Sequence, residues 1–259
     1  MKKCTKLGLL MADVVLLVFE GEKPERTISK SLKTHYFNNA EGSVIHATFG
    51  ADIYQLWQQV AEDDFLDLLE VVRESSAKNR DALKGISREQ VSQIFLFFDY
   101  DGHSNYASNE AIASMLAHFD DESNAGKLYI SYPMVEALRH IKRNTDFGGT
   151  TFEVKKCTEY KEQVHSSTDF QHINKFDKSH WNYITLENYK KANLIVHGSY
   201  EKPEFSRLAE NLRQEHIFEG QLKRYIAPNG EVAVLSAFPF FIIEYFGEKE
   251  FKSLDGAVS

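Results

Sequence analysis

Three carboxylates stand where they could act together. Glu20 closes the apolar run Val14–Phe19 and precedes Gly21, while Asp99 and Asp101 close the run Gln93–Phe98 and precede Gly102. Alternate side chains of an extended segment share a face, so Asp99 and Asp101 point one way and Tyr100 the other. The glycines remove side chains beside the acids and let backbone or substrate approach. Carboxylates gathered at one point repel one another unless a divalent cation neutralises them, and oxygen-only ligation suits Mg²⁺ or Mn²⁺. The pattern predicts a metal site. Taken singly the pieces are weak, because 38 acidic residues in 259 make a D-x-D pair common by chance and strand ends often carry solvated acids. Their order along the chain is what gives them weight.

That order requires a frame. Val14–Phe19 is a continuous apolar run, as expected of a central parallel strand covered on both faces. Pro24 opens a helix at no cost in its first turn, carrying Ile28 and Leu32 inward. A second strand, SVIHATF, ends at Gly50; Ile53, Leu56, Trp57 and Val60, then Phe65, Leu68, Leu69 and Val72, follow at helical spacing. The polar stretch SSAKNRDALKG reads as a loop. The strand ending at Asp99 comes next, then a helix with Ile112, Met115, Leu116 and Phe119 on one face, a strand LYISY, and a helix beginning near Pro133. Alternation of this kind predicts an α/β fold with an open, mainly parallel sheet flanked by helices. Strand carboxyl ends are where such sheets gather ligands, and both acid groups fall there.

Composition narrows the class. The chain is 42% hydrophobic and 26% charged, with a formal charge of −8, which argues against a nucleic-acid-coating protein and requires any polyanion to meet local basic surface, metal or a partner. Cys4 and Cys157 have no paired spacing, so neither a disulfide framework nor a zinc site is expected and a cytoplasmic setting fits. Asp13 interrupts a signal-like N-terminus, and the apolar stretch 232–246 contains Pro239 and falls short of the roughly 18 to 20 residues a membrane span needs. P-loop, nucleophile-elbow and zinc-protease motifs are absent from the sequence.

LLVFEGEKPE followed by FLFFDYDGH resembles the Toprim domain, with its glutamate after the first strand and its D-x-D after a later one. The likeness is closer to RloB-like and OLD-like Toprim nucleases, whose E-G-x-x-x-E is matched here by Glu20, Gly21 and Glu25. LYISYPMVEALRHI is similar to the RloB-like segment in which a proline and a glutamate precede an apolar helix, here Pro133 and Glu136; Tyr132 stands where that family usually has asparagine. The resemblance spans roughly residues 12 to 145. It implies a Toprim catalytic domain over 1–145, and a Mg²⁺-dependent endonuclease in which Glu20 is general base or metal ligand, Asp99 and Asp101 hold the metal, and Glu25 completes a second site. It further implies an antiviral or toxin effector controlled by a separate ATPase. DNA and RNA substrates, a tRNA-cutting enzyme among them, are equally compatible, as is an oligomer, and a catalytically silent regulatory subunit is the alternative from another class.

Other residues have two readings. Lys23 is a solvated lysine or a neutraliser of developing charge. His103 is first a loop histidine and second a proton shuttle. Glu136 faces the site or caps its own helix. Arg139, His140, Lys142 and Arg143 form either a solvated helix face or a phosphate contact. Residues 146–259 read as a mostly helical domain packed on the sheet, in which Trp181, Tyr183 and Tyr189 are core side chains before they are base-stacking ones.

Overall fold

The computed structural model describes residues 14–37, 43–62, 66–100, 108–165 and 169–258. In chain order the elements are β1 (Val14–Phe19), α1 (Lys23–Tyr36), β2 (Ser43–Thr48), α2 (Ile53–Glu62), α3 (Leu68–Glu74), α4 (Ala77–Ala82), β3 (Val91–Asp99), α5 (Asn109–His118), β4 (Asp120–Asp121) and β5 (Gly126–Ser131). There follow β6 (Thr151–Glu153), α6 (Cys157–His165), α7 (Lys178–His197), α8 (Leu208–Asn211), α9 (Gln214–Gln221), α10 (Ala227–Asn229), β7 (Glu231–Ala233) and α11 (Phe238–Ser253). The main sheet has the order β2-β1-β3-β5-β4, parallel except for the short β4. The architecture is thus the expected one: a mostly parallel sheet flanked by helices, with a helical C-terminal half.

Every residue of β1 is buried, as a strand covered on both faces demands. Phe19, Phe95, Phe97 and Tyr129 line one face. Phe238 of α11 stacks on Phe97 with ring centroids 5.0 Å apart, and Phe241 lies 4.8 Å from Phe95. On the opposite face Phe98 meets Phe49, and Leu68 of α3 packs beside Ile94 at Gly126. The apolar stretch that might have suggested a membrane is therefore β7 and α11, covering the sheet, with Pro239 in the first helical turn where its missing N–H costs nothing. Among the described residues no helix is long and apolar enough to cross a membrane.

The second half is joined to the sheet by polar as well as apolar contacts. Tyr132 and Leu235 exchange backbone bonds of 2.8 and 2.9 Å. Trp181 of α7, fully buried, donates from Nε1 to Ser31 Oγ of α1 at 3.0 Å. Lys191 is also fully buried and satisfies the Phe147 and Thr150 carbonyls with its Nζ at 2.8 and 2.5 Å. Trp181 and Tyr189 are core side chains, and Tyr183 is half-buried against Phe170.

Three local readings are corrected. SSAKNRDALKG is not all loop: Ser76 caps α4 by accepting the Asn79 N–H at 3.1 Å. Buried Asn79 ties that helix to the carbonyls of Thr48 and Val72 at 2.8 and 2.9 Å. Hydrogen bonds rather than an apolar stripe anchor it, so hydrophobic periodicity does not reveal it. The helical spacing from Ile53 to Val72 belongs to two helices, the second opened by the Asp67 cap. After Pro133 there is only a 3₁₀ turn, Val135–Arg139, because pairing with Leu235 holds the chain extended through Tyr132.

Candidate active site

Chain order and strand order diverge at β1. The connection through α1 leads to β2 on one side, while β3 takes the place on the other side. In open α/β sheets this reversal opens a crevice at the carboxyl ends of the two strands. Glu20 and Asp99 flank it. The Glu20 backbone donates to Phe97 O at 3.1 Å and accepts from Gly50 N at 2.9 Å, so its position is pinned to both neighbouring strands. Its Oε2 accepts the Asp99 N–H at 3.0 Å. Asp99 is itself in register with Ser131 of β5.

Two further carboxylates approach from below. Glu25 lies on the core-facing stripe of α1 with Ile28 and Leu32, and Glu136 on the 3₁₀ turn; they are 6% and 5% exposed. Each has one oxygen, Oε2, buried without a hydrogen-bond partner among the described residues. Gly21 permits the arrangement, since a Cβ there would stand 2.7 Å from Glu25 Oε1. Burial raises the Asp99 carboxyl well above the usual aspartate range, and the charges of Glu20, Glu136 and Glu25 push it further in the same direction. Glu25 is raised by burial first and by Glu136 second. The Lys161 ammonium on α6 opposes both shifts. Sequence reasoning does not find Lys161, which sits in a polar helix with nothing to distinguish it from a surface lysine.

Excess negative charge, oxygen donors and buried carboxylate oxygens left unpaired are what a hard divalent cation would relieve. By that chemistry the residues fit Mg²⁺ or Mn²⁺. Among the described residues no three His, Cys, Asp or Glu side chains form a group arranged to hold a metal. Asp101, the expected partner of Asp99, lies outside the described residues, as does His103. No family model, curated protein or solved structure matches this chain. A cavity of about 910 Å³ elsewhere, lined by Phe95, Tyr129, Leu212, Glu244 and Tyr245, contains neither Glu20 nor Asp99.

The basic cluster after Pro133 is dispersed rather than displayed on one helix. Arg139 turns back toward Glu136, with Nη2 3.9 Å from Oε1. Arg143 lies over the rings of Tyr183 and Phe170 at 4.7 and 5.6 Å. His140 is half-buried, its Nδ1 2.9 Å from the Tyr160 hydroxyl. Lys23 lies on the exposed side of α1, facing a groove rather than the core.

Burial, and then the Lys191 charge, pushes His140 down to about 4; burial, and then Lys33, Arg26 and Lys78, does the same to His46. The unfolded chain therefore binds more protons than the folded one between about pH 6.5 and 4. Stability should fall as pH drops through that window. One such histidine contributes at most about 1.4 kcal/mol per pH unit, roughly halved here by residual solvent exposure. Urea midpoints at pH 7 and pH 5 should show His140→Gln losing about 1 kcal/mol less than the wild type. Equal losses would mean that His140 is not held neutral.

Proposed function

We propose that this chain is a metal-dependent nuclease of Toprim type that hydrolyses phosphodiester bonds. In this reading it is the cytoplasmic effector of a bacterial antiviral or toxin system, and a separate ATPase controls it. The observation that carries the reading is the pairing of Glu20 with the backbone of Asp99 at the strand-order reversal, backed by two buried, underpaired glutamates. Glu20, Asp99 and Asp101 would hold Mg²⁺, with Glu25 at a second position. A bound ion would supply positive charge to stabilise the negative charge that develops on the phosphoryl group.

The chain's own residues do the positioning. Because Glu20 is tied through Oε2 to β3, its carboxylate is oriented before substrate arrives, and little reorganisation is left for the reaction. Glu20 then serves as general base or ligand on the face where water attacks. Lys161 offsets part of the acidic field and reduces repulsion of an incoming phosphate.

The test is to express the chain and Glu20→Ala, alone and with any ATPase encoded beside it, and to profile cellular DNA and RNA for Mg²⁺-dependent cleavage. The variant should lose cleavage by at least about 10³-fold. Cleavage of RNA alone would select the tRNA-cutting form of the proposal. Intact nucleic acid in every sample, partner included, would replace the nuclease with a silent binding subunit.

A further inference from the structure

The acidic site has a basic neighbour. On α1, Lys23, Arg26, Lys30 and Lys33 recur at spacings of three, four and three, which places them in one stripe along the helix. That stripe adjoins the inward-facing row of Glu25, Ile28 and Leu32. Together with Lys78 at the start of α4, the four residues line a groove of about 840 Å³ whose floor includes His46 and Thr48 of β2.

The charge balance of this groove runs against that of the chain. Five cations line it and Glu22 is its one carboxylate among the described residues, in a protein of formal charge −8. Glu22 is already paired with Lys78 at 2.7 Å. The side chains of Lys23, Arg26, Lys30 and Lys33 form no ion pair with any described residue. Four like charges in neighbouring positions on one helix repel one another and favour a polyanion that neutralises them. Their fields meet inside the groove: Lys33, Arg26 and Lys78 all act against protonation of the same imidazole, His46. The groove does not hold a histidinium that would mimic a bound cation. It holds a neutral ring, stacked on Phe19 with centroids 4.5 Å apart.

The groove also opens at the correct place. Thr48 ends β2 at the carboxyl edge of the sheet, and Glu22 and Lys23 follow directly on Glu20 and Gly21. Gly50, two residues past Thr48, bonds to the Glu20 carbonyl. A strand lying along α1 would thus run out over the carboxyl ends of β1 and β3.

We propose that this groove binds the sugar–phosphate backbone of a nucleic acid and feeds it to the Glu20–Asp99 site. This rests on the nuclease reading for the purpose of the groove but not for its binding chemistry. It supplies the local basic surface that a chain of net negative charge needs, and it is formed by α1 and α4 rather than by the cluster around Arg139 and Arg143.

The test separates the two claims. Binding of fluorescein-labelled DNA and RNA oligonucleotides is measured by anisotropy in EDTA, where metal-dependent cleavage cannot occur, across 50 to 300 mM salt. The wild type is compared with Arg26→Ala/Lys30→Ala/Lys33→Ala and with Lys155→Ala/Lys223→Ala/Lys249→Ala, which removes the same number of cationic side chains from exposed positions elsewhere. Melting curves establish that each variant is folded. The groove variant should bind on the order of 10-fold more weakly or worse, with its log–log salt slope shallower by about 2 to 3; the control variant should match the wild type. Equal weakening of both triple variants, an unchanged groove variant, or a wild type that binds neither polymer at 50 mM salt would each overturn the groove. An excess of inorganic phosphate that competes as well as an oligonucleotide of equal phosphate content would also overturn it, by showing isolated anion binding in place of backbone binding. Loss of binding in the groove variant with no cleavage by the wild type in Mg²⁺ would leave the groove standing and remove the nuclease.

Discussion

Asp99→Asn is expected to make the protein more stable and at the same time inactive. The wild-type carboxyl sits among Glu20, Glu25 and Glu136, and burial together with their charges raises its pKa. A group whose folded pKa is raised contributes stability at low pH that is lost as pH rises through that value. The fold therefore disfavours the ionised carboxylate, a cost that asparagine, which carries no charge, does not incur. The amide is also a hydrogen-bond donor where the carboxylate only accepts. Allowing for the partial exposure of Asp99, the gain should be about 1 to 2 kcal/mol, or roughly 2 to 8 °C in Tm for a chain of this size. Cleavage should fall by about 10³-fold. Thermal melts at pH 5 and pH 8 check the sign, because the gap between variant and wild type should widen at the higher pH. Millimolar Mg²⁺ should raise the wild-type Tm and leave that of the variant nearly unmoved, a readout independent of turnover. A variant less stable than the wild type at pH 8 would show that Asp99 is paired rather than crowded by like charge.

Phe241→Ala should carry the largest loss of stability. Phe241 is wholly buried, and its ring lies within 4.8 to 6.4 Å of those of Phe95, Phe97, Tyr129, Phe37 and Tyr245. It therefore joins α11 to β3, β5 and the end of α1. Removing a buried phenyl ring costs about 3 to 5 kcal/mol through lost transfer energy and the cavity left behind. That corresponds to a fall in Tm of about 6 to 20 °C. Because one hydrophobic cluster runs from β1 to α11, calorimetry should show a single cooperative transition shifted as a whole. A second, unshifted transition would mean that the sheet folds without its C-terminal cover.

The frame around β1, α1, β2 and β3 is legible in the chain because buried parallel strands require unbroken apolar runs and amphipathic helices a period near 3.6. Glu20 and Asp99 are legible for the same reason, as the first charged residues after such runs. Short elements held by hydrogen bonds are not. Asn79 in α4 and the pairing of Tyr132 with Leu235 join residues far apart in sequence, and no local pattern announces either.

The sequence by itself determined the layers of the sheet and the strand ends at which the acids lie, since periodicity and strand termination are local properties. Only the tertiary structure decided that Glu25 and Glu136 are buried near Asp99, that the Lys161 charge acts on Glu25 and Asp99, that Arg143 lies over aromatic rings, and that Lys23, Arg26, Lys30 and Lys33 of α1 line a groove with Lys78. The physical reason is range. Secondary structure is set by neighbours a few residues away, whereas burial and electrostatic fields depend on which distant segments the packing brings within a few ångströms.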